Sequence, residues 1–244
     1  MENVLLYFSL KYNGDWDKIF DALEQKEKID INELRNIQDK IRCKFITLLN
    51  PIYPTELKNT FKPPFVLYYV GNIQLLSNFN KTLSIYSNDK LDKKNINSIN
   101  CILNESKEND YTIILSNDDN YIKKVTIENL DVNNKYIYAI NGSIYNYFVD
   151  NDLDFEDNFS KTLFLSYTYK NDHESNDAKT NHLQASLSKF VLFLDCINTQ
   201  KYINLFNHFI NEGKEVLSIP EIELSSAITN TFIDMGTKIL KNFK

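Results

Sequence analysis

From Lys81 onward, six short runs rich in β-branched and aromatic residues alternate with longer stretches of mixed polarity, and this alternation limits the fold more than any other feature. The runs are "TLSIYS", "YTIILS", "KYIYAIN", "KTLFLSY", "KFVLFLD" and "KEVLSIP". Most are nearly continuously apolar, as strands covered on both faces tend to be. Between them lie "KKNINSINCILNES", "NDAKTNHLQASLS", "NTQKYINLFNHFINEG" and "SSAITNTFIDMGTKILKNF", which read as helix or loop. Strand–helix alternation at this spacing predicts an α/β fold, a mostly parallel sheet with helices on both faces. Sheets of that kind take ligands at the carboxyl ends of their strands, so chemistry is expected there.

The first 45 residues have a different period. In "DWDKIFDALEQ", Trp16, Ile19, Phe20 and Leu23 share one face of a helix, and Asn13, Gly14 and Asp15 supply a turn and a cap before it. "DINELRNIQDKIRCKFITLL" repeats the helical pattern with Ile31, Leu34, Ile37 and Ile41. A small helical region over 1–45, followed by a main domain over 46–244, is the expected division. Pro51, Pro54, Pro63 and Pro64 mark the boundary, and only Pro220 lies elsewhere. Proline fixes φ and biases its predecessor toward extended backbone. Pro63-Pro64 should therefore deliver "FVLYYVG" as an extended segment that Gly71 is free to turn.

With 244 residues, 43% apolar and 25% charged, the chain can bury a substantial core. No apolar run approaches the roughly 20 residues of a membrane helix, and Asn, Lys and Asp arrive too early at the N-terminus for a signal peptide. Cys43, Cys101 and Cys196 are odd in number, far apart and without CxxC spacing, which predicts reduced thiols and a cytoplasmic location. The net charge of −6 counts against a protein wrapped in phosphate contacts, while leaving room for a local basic groove. The acidic run Val149–Asn158 lacks the Gly and closing Glu of a calcium loop and reads as a solvated connection.

"FITLLNPIYPTELKNTFKPPFVLYYVGNIQLL" closely resembles the segment that opens the conserved domain of the DprA/Smf family of DNA-processing proteins. The residues carrying the resemblance are Tyr53, Pro54, Leu57, Pro63, Pro64, Leu67, Gly71 and Asn72. The C-terminal third follows the family's closing pattern through Leu187, Ser188, Asp195, Gly213, Pro220, Asn230 and Gly236. Together they span from about Phe45 to the end. The resemblance implies an extended Rossmann-like domain that binds single-stranded DNA, dimerises and loads the RecA recombinase during natural transformation. The winged-helix domain that many members carry at the C-terminus is not expected, since the chain stops at Lys244.

Several loops depart from the family pattern. Its Gly-Ser-Arg loop after the first strand becomes Ser87, Asn88 and Asp89. Glycine admits an anion to the backbone and Arg grips a phosphate bidentately. A carboxylate there repels a phosphate by about 4 kcal/mol at a range of about 4 Å and an effective dielectric near 20. The next glycine-rich loop survives only as Ser116 followed by Asn117, Asp118 and Asp119, and the Ser-Gly-Ser loop becomes Gln200, Lys201 and Tyr202. Five glycines stand where about 17 would be average. The family's paired arginines become Lys179 and Thr180, and the third becomes His182.

By this resemblance the candidate DNA-contacting residues are Lys179, Asn181, His182, Ser87, Asn88 and Ser116, with Lys93-Lys94 and Lys123-Lys124 read as solvated faces. "YIYAINGSIYNYF" could stack bases, or supply strand core and a half-buried loop. His173, His182 and His208 have no ligand spacing, and no nucleophile elbow, P-loop or Pro-Gly-Gly-x-Gly-Thr motif of the LOG-type nucleotide hydrolases occurs. No catalytic residue, metal or cofactor is expected. Three roles follow, in order: single-stranded DNA binding with recombinase loading, a scaffold acting through protein contacts alone, and a LOG-like nucleotide-binding enzyme.

Overall fold

The computed structural model describes residues 1–87, 93–116, 134–170, 177–194, 200–218 and 238–239. They divide into two compact units, one of residues 1–77 with 139–180 and one of 78–138 with 181–244.

The first unit opens with helices α1 (Glu2–Lys11), α2 (Trp16–Glu24) and α3 (Ile31–Arg35). The Asp15 carboxylate caps α2 by accepting from the Lys18 backbone N–H at 3.2 Å, so the expected turn and cap are present. Ile19 and Ala22 are buried, whereas Phe20 is 44% exposed. Phe20 stacks instead on the half-buried Trp16 at 5.0 Å, and Trp16 stacks on Phe65 at 5.3 Å. The second helical pattern does not form one helix. Ile31 is 60% exposed at the start of a five-residue helix, a 3-10 turn follows at Ile37–Lys40, and strand β1 (Lys44–Thr47) replaces the expected helical end.

Strand β2 (Val66–Gly71) is the extended segment expected after the proline pair. Pro63 and Pro64 cannot donate, but their carbonyls accept from Trp16 Nε1 at 3.0 Å and Tyr53 Oη at 2.8 Å. A short helix α4 (Thr55–Lys58), between Pro54 and Pro63 in the sequence, buries Leu57. Within this unit the strand order is β1-β2-β6, with β6 at Thr162–Ser166 and both pairings antiparallel. The antiparallel arrangement was not part of the sequence expectation. Gly71 ends β2 at φ +99°, and a Cβ there would collide with the Thr162 carbonyl oxygen. Helix α6 (Ile144–Asp150), capped by the Ser143 hydroxyl at 3.1 Å from Asn146 N, stands where a half-buried loop was expected.

The second unit is the parallel part. Strands β3 (Thr82–Ser87), β4 (Thr112–Ser116), β7 (Phe190–Leu194), β8 (Glu215–Ser218) and β9 (Lys238–Ile239) lie in the order β4-β3-β7-β8-β9, each neighbour parallel to the next. Strand β5 (Lys135–Ala139) follows β4 on that side. Helix α5 (Lys93–Glu108) connects β3 to β4, and α8 (Gln200–Asn211) connects β7 to β8. Helix α7 (Asp177–Leu187) leads into β7. The α/β Rossmann-like class read from the alternation therefore holds, with all six expected strands present. Lys238–Ile239 corrects the last reading: these residues pair with β8 as a strand and do not continue a helix. The core joins Tyr86, Val191 and Phe193 of the strands to Ala185 of α7 and Leu205, Phe206 and Phe209 of α8.

Candidate nucleic-acid interface

In a doubly wound sheet the chain leaves one central strand in opposite directions, and the crevice at that point takes ligands. Here β3 is that strand, with β4 on one side and β7 on the other. Ser87 ends β3 in register with Leu194, the last residue of β7. Ser116 ends the neighbouring β4, and only 5% of its surface is exposed.

Two hydrogen bonds set how α7 runs along β3. The Tyr86 hydroxyl donates to Gln184 Oε1 at 2.8 Å, and the Ser84 and Ser188 hydroxyls lie 2.6 Å apart. Ser188 Oγ also donates its one proton to the Gln184 carbonyl at 2.6 Å, which makes Ser84 the donor between the two serines. Two residues of strand advance about 6.6 Å and four residues of helix about 6 Å, so the two anchors match in spacing. The helix consequently runs antiparallel to β3. Asn181 and His182, upstream of Gln184, extend beyond Tyr86 toward the strand's carboxyl end.

Burial pushes the His182 imidazole below its ordinary pKa, His208 acts in the same direction, and Glu212 opposes them. The neutral form is thus favoured near pH 7. The Ser186 hydroxyl donates to the His182 carbonyl at 2.6 Å, binding up that turn of the helix. Lys179 lies one turn earlier, on the same helical face as His182. It is half-buried, and desolvation lowers its pKa while Asp15 raises it.

A family model for DNA recombination-mediator protein A matches residues 44–244, beginning at the first residue of β1. The chain belongs to that family. Among solved structures, the chain resembles DNA processing protein A (DprA) from Streptococcus pneumoniae, with TM-score 0.69 and 18% identity over 98% of this chain and 90% of that one. It also resembles DNA processing protein A from Helicobacter pylori, described for its unique single-stranded DNA binding mode, with TM-score 0.63 and 19% identity over 82% of this chain and 92% of that one. No curated protein matches the sequence.

In this DprA-family chain, Lys179, Asn181 and His182 lie together on α7, while Ser87 and Ser116 end adjacent parallel strands. Asn88 lies outside the described residues, as do Asp89, the Asn117–Asp119 loop and Lys123-Lys124. In the aromatic run Tyr136, Tyr138, Tyr147 and Phe148 are buried, while Tyr145 is half-buried and stacked on Phe155. Among the described residues no group of His, Cys, Asp or Glu could hold a metal, and no helix is long and apolar enough to cross a membrane. The anchors Tyr86 and Gln184 were not singled out in the sequence, since a strand tyrosine and a helix glutamine carry no local mark of pairing across 98 positions.

Proposed function

We propose that the chain binds single-stranded DNA as a DprA-type mediator, with Lys179, Asn181 and His182 contacting phosphates and Ser87, Asn88 and Ser116 as further DNA-contacting residues. The observation that carries this reading is the course of α7, which brings the half-buried Asn181 and His182 beyond Tyr86 toward the carboxyl end of the central strand, at the sheet's switch point. In the same role the chain is a non-enzymatic cytoplasmic protein that dimerises and hands its strand to a RecA-type recombinase. The 1–45 helical region is an accessory to the 46–244 domain. Fluorescence anisotropy with labelled oligo-dT tests the binding. Micromolar or tighter affinity that falls steeply with salt is expected. Absence of binding at low salt contradicts it.

A second reading, a scaffold working only through protein contacts, draws support from the burial of Ser116 and from the loss of glycine at the strand ends. Capture of a partner from nuclease-treated lysate, together with silence toward oligo-dT, would favour it.

A further inference from the structure

The first unit holds a cavity of about 540 Å³ beside the β1–β2 pair, and the role described above leaves it unused. Arg42 and Lys44 line it from β1 and its approach, Tyr69 from β2, and Phe155, Glu156 and Asp157 from the acidic run after α6. Its volume is in the range of pockets that hold small organic ligands.

The Arg42 guanidinium lies 5.0 Å over the Phe155 ring. Phe155 in turn stacks on Phe148 at 4.7 Å and Tyr145 at 6.0 Å, so the column is rooted in the core. The Arg42 backbone N–H donates to the Tyr169 hydroxyl at 3.1 Å and holds the segment in place. A guanidinium fixed on an aromatic column, on a residue that stays exposed, is a platform on which a nucleobase stacks. Lys44 is exposed and pairs in register with the half-buried Tyr69, which sets a second cation beside a second ring.

We propose that this cavity binds one nucleotide unit, with the base stacked between Arg42 and Tyr69 and the phosphate against Lys44. The charge balance selects this ligand. Two cations face two carboxylates, so a long polyanion gains nothing by running through, whereas a single phosphate can sit on the basic side. Glu156 and Asp157 then accept from base amino groups or sugar hydroxyls. A free nucleotide and the terminal nucleotide of a strand share this chemistry. The site is independent of α7 and of the DNA binding proposed there.

The probe is 1,N6-ethenoadenosine 5′-monophosphate, titrated with the full chain and read by fluorescence. Saturable binding competed by AMP is expected, weakened at least about tenfold by Arg42→Ala or Tyr69→Ala. Arg42→Lys keeps the charge and loses the planar platform, and it should weaken binding as well while the thermal midpoint stays put. Competition by 5′-phosphorylated oligo-dT assigns the site to strand ends; competition by AMP alone assigns it to free nucleotide. No saturable signal up to millimolar probe overturns the proposal, as does binding indifferent to all three substitutions.

Discussion

Tyr86 and Gln184 are joined by a buried hydrogen bond of 2.8 Å across 98 positions of sequence, and that bond aligns α7 with the central strand. Gln184 is wholly buried, and its Nε2 has no partner among the described residues, so the tyrosine hydroxyl supplies the side chain's one visible bond. Removing the hydroxyl leaves a buried amide with neither end satisfied. Tyr86→Phe should cost about 1–3 kcal/mol, read as a lower urea midpoint with an unchanged denaturant slope. Unaltered stability would show that the Tyr86–Gln184 bond is not what holds α7 in place.

The close of β2 depends on a residue without a Cβ. Gly71 holds φ +99° with the Thr162 carbonyl oxygen directly in the path of any side chain. Gly71→Ala combines backbone strain with a collision against backbone, and about 2 kcal/mol or more should be lost. Gly213 sits at φ +68° with open space around it, so Gly213→Ala suffers the strain without the collision and should be the milder change. Thermal unfolding of the two variants side by side gives the comparison.

His182 couples stability to pH. Burial, reinforced by His208 and opposed by Glu212, lowers its folded pKa below the ordinary 6.5. The unfolded chain then binds the proton more readily than the folded one, so stability falls as pH drops through 6.5 and levels off below the folded pKa. His182→Gln should flatten that part of the thermal-midpoint profile between pH 7 and pH 5. The same proton adds a cation beside the proposed phosphates, so oligo-dT binding should tighten on acidification in the parent chain and less so in the variant.

Two thiols should differ in reactivity. Cys43 is buried and its pKa is pushed up to about 12, while Cys101 is exposed on α5 with its thiol raised by desolvation and the nearby Glu105. Mass mapping after a brief alkylation of native protein should find Cys101 modified well ahead of Cys43, and more slowly than a free thiol. Equal labelling would mean that the β1–β2 pair opens readily.

The apolar strands were legible because they are covered on both faces: β4 of the parallel unit and β6 of the first unit are buried at every position, which writes a continuous run into the sequence. The proline pair announced β2 for an equally local reason. Elsewhere the local signal was ambiguous. β1 is a four-residue strand whose Phe45 and Ile46 extend a helical period from Ile37 and Ile41, and only pairing with Val66–Tyr69 makes it extended. Helix α6 was hidden because its aromatic residues continue the pattern of β5, although Ser143 is a legible cap. The candidate residues of α7 could be named from the family pattern, but not their course along β3, which depends on Tyr86 and Ser84 roughly a hundred residues away. The cavity was invisible for the same reason, being assembled from residues 42–44, 69–72 and 155–160.

The most direct test is the salt dependence of oligo-dT binding by the parent chain and by Lys179→Ala, measured over one range of ionic strength. If Lys179 meets a phosphate, the variant binds more weakly and its slope of log K against log salt is shallower by about 0.7, the share of one phosphate on a single strand. Superimposable slopes and affinities would contradict phosphate contact at this turn of α7.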